Sequence, residues 1–293
     1  MPDFGSFRGF GEKLTQGQTP TQLGKIGSED YSPLLLDAYP NSAAAYSLRK
    51  LKATYTGNAI RVRRTNLDEI NIGFDGLGNL DTTALLAFTG TGALDNGFIT
   101  TWYDQSGNSQ NAVQTTAINQ PQIVNAGAVI LDNGKPAIQF DGINDSLNKN
   151  FAIGNTFTRF IIFNHFSNQN NNHIMFDSGL SFDQAYLLFS STNTLRAFTG
   201  ANILYSPVLN NTQNLAYNLA NATFAELANN GNTPTTQILT VPNVNGITIG
   251  CRGGNSQQFF ANFKTQEIIY YNTNQSSNRT GIETNLNTYY AIY

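Results

Sequence analysis

Short apolar segments with a period of two recur along this chain, each bounded by Asn, Gly, Asp or Pro. Ala59-Ile60-Arg61-Val62-Arg63-Arg64 alternates in this way. Phe98 to Tyr103 is a β-branched and aromatic run that enters the turn Asp104-Gln105-Ser106-Gly107-Asn108. Successive strand side chains point to opposite faces, so such runs predict half-buried strands. Val129-Ile130-Leu131 and Pro136-Ala137-Ile138-Gln139-Phe140 flank Asp132-Asn133-Gly134-Lys135 and read as strand, turn, strand. The series continues through Phe157–Phe166, Ile174–Phe176, Ala185–Phe189, Ile203–Tyr205, Leu215–Leu219 and Phe224–Leu227. Asn229-Asn230-Gly231-Asn232 then marks a hairpin, followed by strands at Ile247–Gly250, Phe259–Lys264 and Glu267–Tyr271. Many short strands with little helix between them predict an all-β fold, an antiparallel sandwich rather than βαβ units.

Helical spacing is confined to three places. Ala43 to Leu51 reads as a helix with Ser42 as its N-cap, and Thr82 to Phe88 as a second, capped by Asp81. The chain closes on a third, with Ser276-Ser277 at its start and Ile282, Leu286, Tyr289 and Tyr290 on one face. Residues 1–30 differ from everything after them. Phe4, Phe7 and Phe10 are separated by Gly5, Gly9 and Gly11, and glycines at this density oppose a solitary helix. The division predicted is a 1–30 N-terminal arm and a 31–293 sandwich, with the three phenylalanines as candidate anchors on a partner.

Composition narrows the function. Only 12% of residues are charged, about half the usual share, and the formal net charge is −3, so the surface is polar but sparsely charged. That balance excludes a phosphate-backbone binder, which needs clustered Lys and Arg. The one basic cluster, Arg61-Val62-Arg63-Arg64, is followed by Asp68 and Glu69 and reads as a solvated strand face. The single Cys251 permits no internal disulfide and reads as a buried apolar residue, which suits assembly in a reducing cytoplasm. No apolar run reaches the length of a membrane span, and the first residues lack the basic and apolar regions of a secretory signal. His165 and His173 have neither Cys nor a carboxylate pair near them in sequence, so neither a metal nor any other cofactor is expected.

Trp102-Tyr103-Asp104-Gln105-Ser106-Gly107-Asn108, Asn119-Gln120-Pro121, Asn133-Gly134-Lys135-Pro136-Ala137 and Phe140-Asp141-Gly142 together resemble the concanavalin/laminin-G-like sandwiches. With Tyr55-Thr56-Gly57 and Glu267-Ile268-Ile269-Tyr270-Tyr271, they are similar in particular to the catalytic domain of alpha-L-arabinofuranosidase B, over about residues 31–293. The turns that carry this likeness look structural, with Asp104 and Asn108 bonding backbone amides of their own turn. The resemblance also locates the catalytic carboxylates, and there the chain departs from it. The nucleophile's place is Phe176-Asp177-Ser178-Gly179-Leu180-Ser181-Phe182, which holds no Glu, with Asp183 only nearby. The acid/base place is Arg252-Gly253-Gly254-Asn255-Ser256, where Gly254 stands instead of Asp. A retaining glycosidase needs both carboxylates, about 5 Å apart. No catalytic residue is therefore expected, and the chain is not expected to be an enzyme. Similarity to sandwiches of phage fibre, spike and capsid-decoration proteins, joined to the arm and the sparse charge, implies a non-catalytic virion structural protein. Its expected partners are other virion proteins, a homo-oligomer and host-surface glycans, with no nucleic acid and no membrane. A carbohydrate-binding module or lectin-like protein with surface tyrosines is the second reading, and an active arabinofuranosidase the third.

Overall fold

In the computed structural model, residues 34–166, 173–177, 186–190, 194–199, 201–205, 211–253 and 257–293 are described. Apart from a separate hairpin of Leu131–Asp132 and Lys135–Pro136, the described strands form one curled antiparallel sheet whose two halves face each other as the layers of a sandwich. In the first half, Thr235–Ile238, Phe224–Asn229, Gln213–Asn221, Thr156–His165 and Asn262–Tyr271 pair in that order. Ala44–Ser47 and Ile138–Asp141 share the outer edge of Asn262–Tyr271. The second half runs from Asn202–Tyr205 through Thr194–Phe198, Tyr186–Ser190, His173–Asp177, Val244–Ile249 and Leu147–Gly154. It continues through Ala112–Val113 and Gly97–Trp102 to Ile60–Arg64 and Glu69–Ile72. Gln122–Asn125 joins the halves, pairing with Gly97–Trp102 on one side and with Ile138–Asp141 on the other.

Two cores lie on opposite faces of the first half-sheet. Ile161, Phe163, Ile268 and Tyr270 point between the layers and meet Tyr46, Trp102, Phe140 and Phe176. Phe160, Ile162, Ile269 and Tyr271 point outward and meet helix α1 (Leu35–Ala38) through Leu35 and Leu36, and helix α3 (Arg279–Tyr290) through Ile282, Leu286 and Tyr290. Thr156–His165 is consequently buried at nearly every position, as are its neighbours Gln213–Asn221 and most of Asn262–Tyr271, which explains its continuous apolar run.

The strands at Ile60–Arg64 and Gly97–Trp102 and both Asn-Gly-type hairpins form as the pattern predicts. At the hairpins Asn133, Gly134, Asn230 and Gly231 all take positive φ, the conformation that their residue types tolerate best. Helix α2 (Thr82–Thr89) starts where expected, with the Asp81 carboxylate accepting the Ala84 amide at 2.9 Å. Two expectations are corrected. Ala43–Leu51 is not a helix: Ala44–Ser47 is an inner strand whose register places Ala44 opposite Tyr270. Alanines fit there because both faces are covered, and tertiary pairing overrides their helical preference. The last helix is also not capped by Ser276 or Ser277. Its N-cap is Asn278, because the Gln275 amide is bonded to Thr158 Oγ1 at 3.0 Å and the chain stays a turn until there.

The Asp104 to Asn108 turn is a clamp on that inner strand. Asp104 Oδ1 accepts the amides of Ala45 and Ser106 at 2.8 and 2.9 Å, and Oδ2 accepts that of Gln110 at 2.9 Å. Gln105 Nε2 donates to the carbonyls of Ser47 and Arg49, while its Oε1 accepts the Leu51 amide. Asn108 does not bond its own turn as expected. Its amide group donates across to the carbonyls of Ser42 and Ala43. A helix-like sequence is thus held extended by side chains about 60 residues away in the chain.

Candidate functional site

An open cleft of about 430 Å³ lies where Gln122–Asn125 joins the two half-sheets. Arg63 and Thr65 come from the end of one strand, Phe98 from the start of the next, and Gln122 from the joining strand. A 3-10 turn, Ala117–Asn119, brings Ile118 and leads into Gln120, and Asp141 and Asp145 close the other wall. Gln122 pairs with Phe98 and also with Gln139, so the fold's own junction fixes the spacing of the walls.

Arg63 is only 8% exposed. Its Nε donates to Gln120 Oε1 at 2.6 Å, and its Nη atoms donate to the carbonyls of Arg64 and Ala117 at 3.3 and 3.1 Å. The guanidinium lies over the Phe98 ring, 4.5 Å from its centroid. Gln120 is itself held by donating to the Gln114 carbonyl at 2.9 Å. Burial lowers the pKa of Arg63, and Glu69, whose charge opposes that shift, is bonded to Arg61 at 2.7 Å instead. The solvated-face reading therefore holds for Arg61 and Arg64, which pair with Glu69 and Asp68, and fails for Arg63. A bulge between Arg61 and Val62 shifts the register against the neighbouring strand, so strict alternation does not extend to Arg63.

The opposite wall is a loop tied to itself. Asp141 Oδ1 accepts the amides of Ile143 and Asn144 at 2.8 and 3.2 Å, and Asp145 Oδ2 accepts the Asp141 amide at 2.9 Å. Gly142 between them takes φ +78°, and a Cβ there would press on the Asn262 backbone. Asp145 is buried, and burial, reinforced by the charge of Asp141 and a hydrogen bond with its side chain, pushes its carboxyl up to about 7. Two carboxyls in direct contact share a proton well. They are too close to flank a glycosidic bond, which needs about 5 Å or more between them. What the cleft offers is recognition: a cation, two neighbouring carboxyl groups, and the exposed side chain of Ile118.

The residues singled out by sequence are scattered. Phe4, Phe7 and Phe10, with Gly179, Asp183 and Gly254, lie outside the described residues. The two segments matched to the catalytic carboxylates do meet, since buried Asp177 accepts the Gly253 amide at 2.9 Å. Beside them Arg159 is fully buried, bonded through Nε to Asn218 at 2.9 Å and packed over Phe157 and Phe176. Burial brings its pKa down to about 10 against the opposing pull of Tyr270 and Asp177. His165 and His173 are both buried with ring centroids 6.0 Å apart, and His173 Nδ1 contacts the Phe260 carbonyl. Among the described residues no cluster of three or more His, Cys, Asp or Glu side chains could hold a metal. Cys251 is buried, and burial raises its thiol pKa. Among the tyrosines whose burial is described, Tyr293 is exposed and the rest are half-buried or buried; the ring at the cleft is Phe98.

Sequence reading missed Arg63, Phe98, Gln122 and Asp145 as members of one site. The available signal was Asp141-Gly142-Ile143-Asn144-Asp145, two aspartates on a turn directly after a buried strand.

No family model matches the chain, and no curated protein matches it by sequence. Solved structures do. The chain is similar to an arabinofuranosidase complexed with arabinofuranosyl-alpha-1,2-xylobiose, with 13% identity and a TM-score of 0.68 over 86% of this chain. It is equally similar to a GH54 α-L-arabinofuranosidase variant soaked with 4-nitrophenyl α-L-arabinofuranoside, at 14% identity and a TM-score of 0.68. A GH54 α-L-arabinofuranosidase soaked with a cyclic sulfate inhibitor gives a TM-score of 0.66 at 14% identity. The chain spans 64% of the length of each of these structures. The expectation of a virion structural protein is corrected by this comparison, because the three structures named above that share its fold are arabinofuranosidases. The chain carries an arabinofuranosidase-like β-sandwich fold.

Proposed function

We propose that this chain is a carbohydrate-binding protein that uses the junction cleft and does not hydrolyse its ligand. The observation that carries the reading is the convergence of Arg63, Gln120, Gln122, Asp141 and Asp145 with Phe98 and Ile118 in one open cleft. Sugars are bound by planar amide, carboxylate and guanidinium groups that satisfy hydroxyls, beside apolar side chains that cover ring C–H faces. The arabinofuranosidase-like fold supports the same substrate class. The absence of Glu from Ser178–Phe182 and of Asp at Gly254 supports binding without hydrolysis, as does direct contact of the one carboxyl pair in the cleft.

A glycan array probed with the full chain, followed by calorimetry on any hit, tests the reading. Asp141→Asn is expected to weaken binding about tenfold, the cost of one charged hydrogen bond. Undiminished binding by this variant would place the ligand elsewhere. Release of nitrophenol from an aryl arabinofuranoside by the purified chain would overturn the non-hydrolytic part.

A further inference from the structure

We propose that the cleft selects acidic sugars, seating a uronic acid carboxylate on Arg63 while ring hydroxyls donate to Asp141; this rests on the glycan-binding reading of the same cleft. Arg63 is a buried cation whose hydrogen-bond partners, the Gln120 side chain and the Arg64 and Ala117 carbonyls, are all uncharged. Among the described residues no carboxylate lies within ion-pair distance of it. A guanidinium carries five N–H donors, so each Nη keeps one N–H beyond those bonds. Burying a charge is costly unless a counter-charge meets it. The cation lines an open cleft, so the missing counter-charge fits a ligand, and two parallel N–H groups match a carboxylate in bidentate fashion.

The other charged groups do not oppose this. Glu69 is bonded to Arg61, and Asp68 to Arg64, so both acidic neighbours on that side are already paired. Asp141 and Asp145 line the facing wall, and Asp145 keeps its proton up to about pH 7, so slightly below neutral pH its carboxyl adds little negative charge there. Asp141 Oδ1 is held by the Ile143 and Asn144 amides, and its acceptor oxygens suit hydroxyl donors rather than a second anion. A cationic amino sugar would meet Arg63, and a neutral sugar would leave Arg63 without a counter-charge. A uronic acid satisfies both walls.

Isothermal titration of the full chain, slightly below neutral pH and at low salt, would compare trigalacturonate, its methyl ester and cellotriose. The acid is expected to bind about tenfold or more tightly than the ester, with the gap closing at high salt. Arg63→Gln should erase the preference, lowering the acid's affinity more than the ester's until the two are equal, while Arg63→Lys keeps part of it. Equal affinity for acid and ester in the unaltered chain would overturn acid selection and leave glycan binding standing. Binding of cellotriose alone would do the same. Failure of all three probes to bind would overturn both. The acid–ester comparison needs no variant, so the test survives even where Arg63→Gln fails to fold.

Discussion

Arg49 and Arg63 are almost equally buried, at 7% and 8% exposure, yet their surroundings push them in opposite directions. Arg49 grips Glu267 with Nε and Nη2 at 2.7 and 3.0 Å, donates again to Asn285, and lies under the rings of Tyr289 and Tyr290. Glu267 also accepts from Ser47 and from the Tyr290 hydroxyl. The pair's mutual attraction outweighs burial, and the pKa of Arg49 rises. Arg63 has only neutral acceptors, and burial lowers it. The first arginine belongs to a closed network that ties α3 to the sheet, and every charge in it is answered within the chain. The second belongs to an open one. A buried charge answered internally marks architecture, and one left to be answered from outside marks a site.

The sharpest way to break this contrast is Glu267→Gln, which strands a buried guanidinium. The expected loss is about 3–5 kcal/mol in denaturant unfolding, and a loss below about 1 kcal/mol would show that the network is not structural. Asp104→Ala comes next: it strips acceptors from the amides of Ala45, Ser106 and Gln110, for an expected cost of about 2–3 kcal/mol.

Asp145→Asn is expected to act with the opposite sign. The folded chain holds this proton up to about pH 7, whereas an unfolded aspartate releases it near pH 4. Between those values the folded state binds more protons, so stability present at low pH is lost as pH rises through the window. The amide variant should flatten that slope and stabilise the chain at pH 8 by about 1–2 kcal/mol. A thermal melting series across pH checks it. The smallest effect is expected for Arg63→Met, within about 1 kcal/mol of the unaltered chain, because an unpaired buried charge contributes little to folding. A loss as large as that of Glu267→Gln would make Arg63 a structural residue.

The strand order was legible only in part. Asn133-Gly134 and Asn230-Gly231 announce their hairpins because few other residue types tolerate positive φ at both central positions, and Asp81 announces α2 because an orphan amide needs its carboxylate. Ala44–Ser47 was illegible because what holds it extended, Asp104, Gln105 and the strand Asn262–Tyr271, lies far off in the chain. The cleft was illegible for the same reason. Arg63, Gln120 and Asp145 become neighbours only when Gln122–Asn125 bridges two half-sheets, and no local pattern encodes that closure.

The pairing of Ala44 with Tyr270 has a consequence for how the chain is made. A ribosome synthesises at about 5–20 residues per second, so this early strand waits on the order of ten seconds or more for its partner to emerge. Throughout that interval Ala44–Ser47 lacks its partner strand, and Thr156–His165 lacks the neighbour Asn262–Tyr271 that completes its pairing. Folding that depends on such distant contacts is slow, and the nascent chain carries an unfinished, aggregation-prone apolar sheet until Asn262–Tyr271 has emerged. Slowed translation between Ala44–Ser47 and Asn262–Tyr271 is therefore expected to lengthen the time that this apolar sheet stands unpaired.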